Sequence, residues 1–476
     1  MTDQDPPIAE ACYPPLLSNR LERVALTGLR LIPSMRGKPV SARALTALRG
    51  SAWSLAGHGS SQIIRLAAML ILARHLLGPS AFGLVALVSV FLSGLEMLSD
   101  LGIGVDVIQH RRGDDPSFLN TAFLIQSARG TALWIIAAIL AFPFAAFYKE
   151  PAVRSLIIAG AFSVVIRGMT SSSVWTLTRH VRLKKLTVLN VAGDSVGLVV
   201  AVVWALVSPT AWALVAGKLA TALAFVAGSH LISEQPVRLT WDRSAASDIF
   251  AFGTGMFLSS ATWFFCGEAE RLVIGKFVTI AELGCFSLAL ALSAVPLDAM
   301  RKVIAQVFLP LISESARADR ESAWIHLKRA RAPLLAASIS MAVVFILFSK
   351  VIVALLLGPR FAMTAWMLQL LGFRAAIELF GTAAATTLFG LGISKYAAYG
   401  NTSKLIFLAM GFFVAFEWFG FRQAMWVLAV SPVAQYVPNL VGLKRHLRPA
   451  VASEVYSFLI FILSAAATVL ALRVWS

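Results

Sequence analysis

The stretch Ala73-Arg74-His75-Leu76-Leu77-Gly78-Pro79-Ser80-Ala81-Phe82-Gly83-Leu84 joins a long apolar run to a second one through a short turn. About 200 residues later the chain repeats the device, with Ile274-Gly275-Lys276 leading into Glu282-Leu283-Gly284-Cys285. Each half therefore begins alike and faces the same way, with about six helices per half. Parallel repeats of this kind relate two lobes by an axis along the membrane normal and place a cargo site between them. The competing explanation of the repeat is hairpin chemistry common to both turns.

The composition around this stretch is that of a membrane protein. Hydrophobic residues make up 58% of the 476 residues and charged residues 14%, and apolar runs follow one another almost to the C-terminus. About thirteen runs are long enough to span a hydrocarbon core of roughly 30 Å. Open sheet edges cannot face lipid, and the weak alternation of a membrane barrel is absent, so the fold class is all-α and polytopic. The expected helices cover approximately 51–77, 81–108, 118–147, 153–180, 183–207, 210–232, 247–277, 281–309, 324–347, 362–392, 395–420, 422–443 and 452–475. This divides the chain into a basic tail (1–50), an N-terminal lobe (51–232), a linker (233–246), a C-terminal lobe (247–443) and an extra C-terminal helix (444–476).

The formal charge of +17 does not point to nucleic acid, because the basic residues cluster between apolar segments. One alternating set of loops carries Arg111, Arg112, Arg179, Arg182, Lys184, Lys185, Arg238, Arg243, Arg317, Arg320, Lys328, Arg329, Arg331, Lys444, Arg445 and Arg448. The other set carries only Arg74, Lys149, Arg154, Lys276, Lys350, Arg360 and Arg422. The first set and the basic N-terminal tail are thus expected on the cytoplasmic side. In that tail Leu17, Leu21, Val24 and Ala25 share a helical face beside arginines, which fits either a surface-lying helix or a disordered basic tail. No secretory signal is expected, since Pro6, Pro7, Pro14 and Pro15 precede any long apolar run. Cys12, Cys266 and Cys285 lack metal-ligand or disulfide-framework spacing, so no metal or cofactor is expected.

Charges inside the apolar runs carry the functional signal. Arg65, Arg129, Arg167 and Lys218 in the first half, and Arg374 in the second, lie deep in their runs, as do Glu96, Asp194 and Glu378. An ionised group at the bilayer centre costs roughly 2.5–3.5 kcal/mol even on lenient scales, so each must face protein or a wet cavity. The cations outnumber the acids, which suggests an anionic cargo gripped by arginine forks. The acids Glu96, Asp100, Asp194 and Glu378 are candidates for coupling to an ion gradient. The alternative is internal pairing, for example Arg374 with Glu378 at i,i+4 on one helix face. Asp100, Glu268, Glu270, Arg271, Asp298, Arg301 and Lys302 read as closer to helix ends, where long side chains snorkel.

Other motifs read as structural. Gly193-Asp194-Ser195-Val196-Gly197 has the spacing of close helix packing. Gly57-His58-Gly59 and Gly253-Thr254-Gly255 suggest loosened early turns in the first helix of each half, without the Gly-Lys-Ser/Thr of a nucleotide loop. Asp114-Asp115 raises an enzyme reading, a metal or sugar-donor site, but sits in a loop that begins Arg111-Arg112 and belongs with the solvated basic set. No catalytic residue set is present.

The stretch 73–84, followed by Leu98-Ser99-Asp100-Leu101-Gly102-Ile103-Gly104, resembles the polysaccharide transporter branch of the multidrug/oligosaccharidyl-lipid/polysaccharide (MOP) exporter superfamily. The second-half stretches 270–277, 283–287 and 309–313 fit the same family, and the resemblance covers roughly residues 51–442. It implies two bundles of about six helices around a V-shaped cavity that opens to either side in turn. It also implies a bacterial inner-membrane flippase that moves polyprenyl-pyrophosphate-linked oligosaccharides for exopolysaccharide, capsule or O-antigen synthesis. Its partners would be membrane lipids, the lipid-linked oligosaccharide, and polymerase and glycosyltransferases of the same pathway. The chain departs from the family at Gly267-Glu268-Ala269-Glu270, where a small polar residue and an aspartate are expected before Arg271, and it lacks a fourteenth helix. Two further classes remain open here: a polymerase or glycosyltransferase acting on the same lipid-linked glycans, and an exporter of small drugs.

Overall fold

The structure, a computed structural model, describes residues 42–233, 238–318 and 320–475. The possible tail helix with Leu17 and Leu21, Cys12 and the centre of the linker lie outside the described residues. Among the described residues there is no strand, and ten helices are long and apolar enough to cross a membrane. The protein is a multi-pass membrane protein.

In the first half α1 is Ala42–Ile71, α2 Pro79–Met97, α3 Ile103–Gln109, α4 Pro116–Tyr148, α5 Pro151–Gly168, α6 Ser173–Arg179, α7 Leu183–Val207 and α8 Trp212–Leu231. In the second half α9 is Arg243–Gly267, α10 Ala269–Phe277, α11 Ile280–Val303, α12 Leu309–Ala318 and α13 Arg320–Leu356. It continues with α14 Thr364–Gly390, α15 Lys395–Trp418, α16 Phe421–His446 and α17 Arg448–Trp475. Local sequence explains where the helices start. Pro79, Pro116 and Pro151 occupy first-turn positions, where a missing N–H costs nothing. Asp115 caps α4 by accepting from the Ser117 amide, and Thr279 with Glu282 forms a reciprocal capping box on α11.

Several expected boundaries are corrected. The first helix begins at Ala42, inside the stretch read as a tail, and runs unbroken through Gly57 and Gly59; α9 is likewise continuous through Gly253 and Gly255. Three segments read as single helices are broken: 81–108 at residues 98–102, 153–180 at 169–172, and 247–277 between Gly267 and Ala269. At the first break Gly102 takes a left-handed conformation with φ of 59°, which ordinary side chains resist.

The first lobe is built by α4 on α5, α7 on α8 and α1 on α7; the second by α15 on α16, α13 on α14 and α14 on α16. The Gly193/Gly197 pair lies where α7 meets α8, with the Gly217 carbonyl 2.8 Å from where a Cβ on Gly197 would sit. The last helix, α17, packs on α13 and α16, with Phe461 fully buried and stacked on Phe373.

The repeat that opens the sequence is the crossing of the two lobes. Helices α2 and α11 pack together so closely that a Cβ on Gly83 would lie 1.9 Å from the Ile280 carbonyl oxygen. Its counterpart on Gly284 would lie 1.9 Å from the Pro79 carbonyl oxygen. Each glycine of the repeat therefore admits the backbone of the other lobe. Beside this crossing the Tyr148 hydroxyl donates to the Leu272 carbonyl at 2.8 Å, and Lys276 donates to the Phe147 carbonyl at 2.5 Å. These contacts close the lobes together at the face poor in basic loops. At the basic face, Arg112 pairs with Asp242 at 2.5 Å and the Asp242 amide donates to Thr121 at 2.9 Å, tying the start of α4 to the start of α9.

Candidate functional site

Helix breaks, as well as helix interiors, position the intramembrane charges. A discontinuous helix leaves unpaired carbonyl and amide groups, which persist at membrane depth only against protein or a wet cavity. Glu96 lies in the last turn of α2, Arg167 in the last turn of α5, and Glu268 at the junction of α9 and α10. The expectation that Glu96 and Arg167 sit mid-helix is corrected accordingly.

Arg129, on α4, spends its guanidinium on the first of these breaks. It donates to the Glu96 carbonyl at 2.7 Å and to the Ser99 hydroxyl at 2.9 Å, answering carbonyl groups that the end of α2 leaves without helical partners. Asp100 works on the same break: its carboxylate accepts from the Gly102 amide at 2.9 Å and from Ser260 of α9 at 3.4 Å. At the second break Gln126 and Ser127 donate to the carbonyls of Arg167 and Gly168, both at 3.0 Å, which leaves the Arg167 side chain out of that capping.

The first lobe holds a polar cavity of about 340 Å³ between α1, α5, α7 and α8, lined by Ser61, Arg65, Arg167, Asn190, Asp194 and Thr221 among others. Three of the residues singled out in the sequence thus meet in one place. Arg65 and Arg167 are exposed side chains, and Arg65 donates to Gln62 on its own helix at 3.2 Å. Lys218 stands beside this cavity, within electrostatic reach of Arg167 and Glu96. His58, also in the lining, is within reach of Arg65 and of Lys302 and Asp298 on α11, so this face of α1 looks toward the second lobe. The cavity carries two arginines against one aspartate, an excess of positive charge.

The second lobe holds a cavity of about 380 Å³ between α9, α10, α11, α14, α15 and α16. Arg374 and Glu378 both line it, but they do not form the i,i+4 pair that their spacing suggests. Arg374 bonds Glu270 at 2.7 Å, and Glu378 bonds Arg301 at 2.8 Å with Lys404 at 3.8 Å. Arg271 pairs with Glu268 at 2.6 Å and Arg301 also with Asp298 at 3.2 Å. Side chains assigned to helix ends therefore reach the interior, because the break after Gly267 turns Glu268, Glu270 and Arg271 inward. Lys404 escapes the reading of buried charge although it sits inside α15, the same signal that marks Lys218.

The acids of the basic loop are occupied. Asp114 accepts from Arg179 at 3.0 Å and from His180 at 2.9 Å, while Asp115 caps α4 and pairs with Arg112 at 2.9 Å. The Arg112 hydrogen bond holds the Asp242 carboxyl below the ordinary carboxylate range, helped by the Ala245 and Ser244 amides. The Ser117 amide, then Arg112, does the same to Asp115. A carboxyl lowered in the folded state adds stability that is complete above its unfolded pKa, about 4, and is lost as pH falls through the lowered value. Wild-type and Arg112→Ala proteins are therefore expected to differ in thermal stability at neutral pH and to converge below about pH 4. A gap that persists unchanged in acid would show that the junction does not depend on these carboxylates.

Comparison with known proteins fits this architecture. The sequence profile of the family described as "Polysaccharide biosynthesis protein" matches residues 71–365, more than half of the chain. The succinoglycan biosynthesis transport protein ExoT of Rhizobium meliloti (strain 1021) is 24% identical over 285 residues. That match covers 58% of this chain and 56% of ExoT, a little over half of the relative's length. Among solved structures, the lipid II flippase MurJ in an inward closed conformation superposes with a TM-score of 0.65 at 12% identity, covering 88% of this chain and 97% of that one. A multidrug resistance MATE family transporter of the MOP superfamily, inward-facing, gives 0.62 at 14% identity over 83% and 95% of the two chains. The two-lobed fold is that of these transporters, and the chain belongs to the polysaccharide biosynthesis protein family.

Proposed function

We propose that the protein is an inner-membrane flippase that carries polyprenyl-pyrophosphate-linked oligosaccharide repeat units across the bilayer for surface polysaccharide synthesis. The observation that carries this reading is the cationic first-lobe cavity of Arg65 and Arg167, set beside Lys218 and facing the other lobe. Arginine forks suit the pyrophosphate of such a cargo, and a first-lobe cavity that looks toward the other lobe lets the prenyl chain stay in lipid while the headgroup crosses. The family membership and the name of the ExoT relative point the same way. On this reading the basic face and the N-terminus are cytoplasmic, and the glycine crossing closes the outer side. Rocking of one lobe against the other moves the headgroup, with Glu96, Asp194 and Glu378 as candidate coupling acids. Arg129 and Arg374 are already held by protein partners and are not assigned to cargo. The enzyme reading loses its residues, since Asp114 and Asp115 are engaged by Arg179, His180 and Arg112.

Depletion of the protein is expected to remove surface glycan while whole repeat units accumulate on polyprenyl carrier facing the cytoplasm. Single repeat units still reaching the surface would point to a polymerase instead. The double variant Arg65→Ala/Arg167→Ala is expected to insert normally and to lose export. Normal export from that variant, read as surface polysaccharide on a gel, would sink the cavity assignment.

A further inference from the structure

We propose that the charge-balanced cavity of the second lobe is a saccharide subsite, holding an uncharged sugar ring of the cargo while the first-lobe cavity holds its pyrophosphate; this rests on the flippase reading above. The cavity is lined by four acids, Glu268, Glu270, Asp298 and Glu378, and four bases, Arg271, Arg301, Arg374 and Lys404. Every one of these acids already has a protein cation at 2.6–3.2 Å. A metal cation entering the site would meet four positive side chains, and each carboxylate there is already paired with one of them. An anion such as phosphate would meet four carboxylates. A neutral polyol is the ligand class that uses donors and acceptors together without disturbing that balance.

The wall has the chemistry that sugar hydroxyls require. Asp298 and Arg301 are 40% and 42% exposed, so an acceptor and a fork of donors reach into the opening. Behind them Glu270 Oε2, Arg271 Nε and Arg374 Nε are buried and lack a hydrogen-bond partner, although their side chains line the cavity. These atoms are shielded from the opening, so the charged groups that meet a ligand directly are Asp298 and Arg301. The Asn401 and Gln435 side chains, 2.8 Å apart, add an amide pair to the lining. Leu290, Leu297 and Leu371 supply an apolar wall for the C–H face of a ring. The volume of about 380 Å³ falls within the range of small-molecule sites, roughly 300–1,000 Å³. The two lobes thus divide the headgroup by charge: excess cations in the first, balanced charges in the second.

The test uses the full chain in lipid nanodiscs free of glycoside detergents, with binding read by saturation-transfer NMR. The probes are methyl glucosides, galactosides and mannosides and their disaccharides, with geranylgeranyl pyrophosphate and sodium chloride titrated separately. At least one neutral saccharide is expected to bind at millimolar concentration. Ala294→Phe, which adds bulk to the lining at a residue that belongs to no ion pair, is expected to weaken it about tenfold or more. Asn401→Ala/Gln435→Ala is expected to weaken it too, so the proposal does not hang on one variant's folding. Arg65→Ala is expected to act on the prenyl pyrophosphate instead. If prenyl pyrophosphate binds and every saccharide fails, the subsite is overturned and the flippase reading survives. A sodium effect that Ala294→Phe abolishes, with no saccharide bound, would overturn it in favour of a cation site. Sugar binding with no affinity for prenyl pyrophosphate would sink the flippase reading and leave the saccharide subsite in place.

Discussion

Arg374→Ala is expected to cost about 3–5 kcal/mol of stability, the range for breaking a buried ion pair by removing one partner. Arg374 and Glu270 are 6% and 4% exposed and lie 2.7 Å apart, so truncating the arginine strands a carboxylate in the interior. Glu270→Ala should do comparable damage by stranding the guanidinium, although Glu378 nearby softens that loss. Replacing both at once, Arg374→Met with Glu270→Met, removes the desolvation cost together with the attraction and should restore most of the loss. Thermal unfolding of the four proteins in the same lipid measures this directly. Equal stability of wild type and Arg374→Ala would mean that the pair is wet, and the packing described around the α9–α10 break would be wrong.

Gly83→Val and Gly284→Val should each force the lobe crossing apart. Even an alanine places its Cβ 1.9 Å from a backbone carbonyl oxygen, a contact that rotamer change cannot relieve. Overpacking of this kind typically costs about 1–3 kcal/mol, and here the strain falls on the contact that holds the lobes together at one face. Export should fall sharply, and the closed arrangement should become less populated. Cys285, 3% exposed and adjacent to Gly284, reports on that change. In a Cys12→Ser/Cys266→Ser background it should resist maleimide in the otherwise wild-type protein and react in the valine variants. Unaltered labelling together with normal export would remove the crossing from the transport cycle.

The sequence exposes the crossing as a repeat before any contact is known, because close backbone approach demands glycine at fixed positions. The same holds for the helix starts, where Pro79, Pro116, Pro151 and the Thr279–Glu282 box act within one turn. The breaks were legible only in part. Gly102, the Thr170-Ser171-Ser172-Ser173 run and Gly267 are turn-forming signals, but the strong hydrophobicity on either side outweighs them in the local pattern. The depths of Glu96 and Arg167, and the inward turn of Glu270 and Arg271, depend on where those breaks fall.

The amino-acid sequence alone determines that this chain is a two-lobed helical membrane protein with charges inside it. Those properties follow from the length, spacing and composition of local segments. Only the tertiary structure decides which charges are free to meet a cargo. Arg374 could have bonded Glu378 four residues away, and it bonds Glu270, 104 residues away in the chain. Arg129 meets a helix end, whereas Arg65, Arg167 and Asp194 share a cavity. At low dielectric an ion pair forms wherever distant helices bring opposite charges within about 3 Å, and no local pattern encodes that meeting.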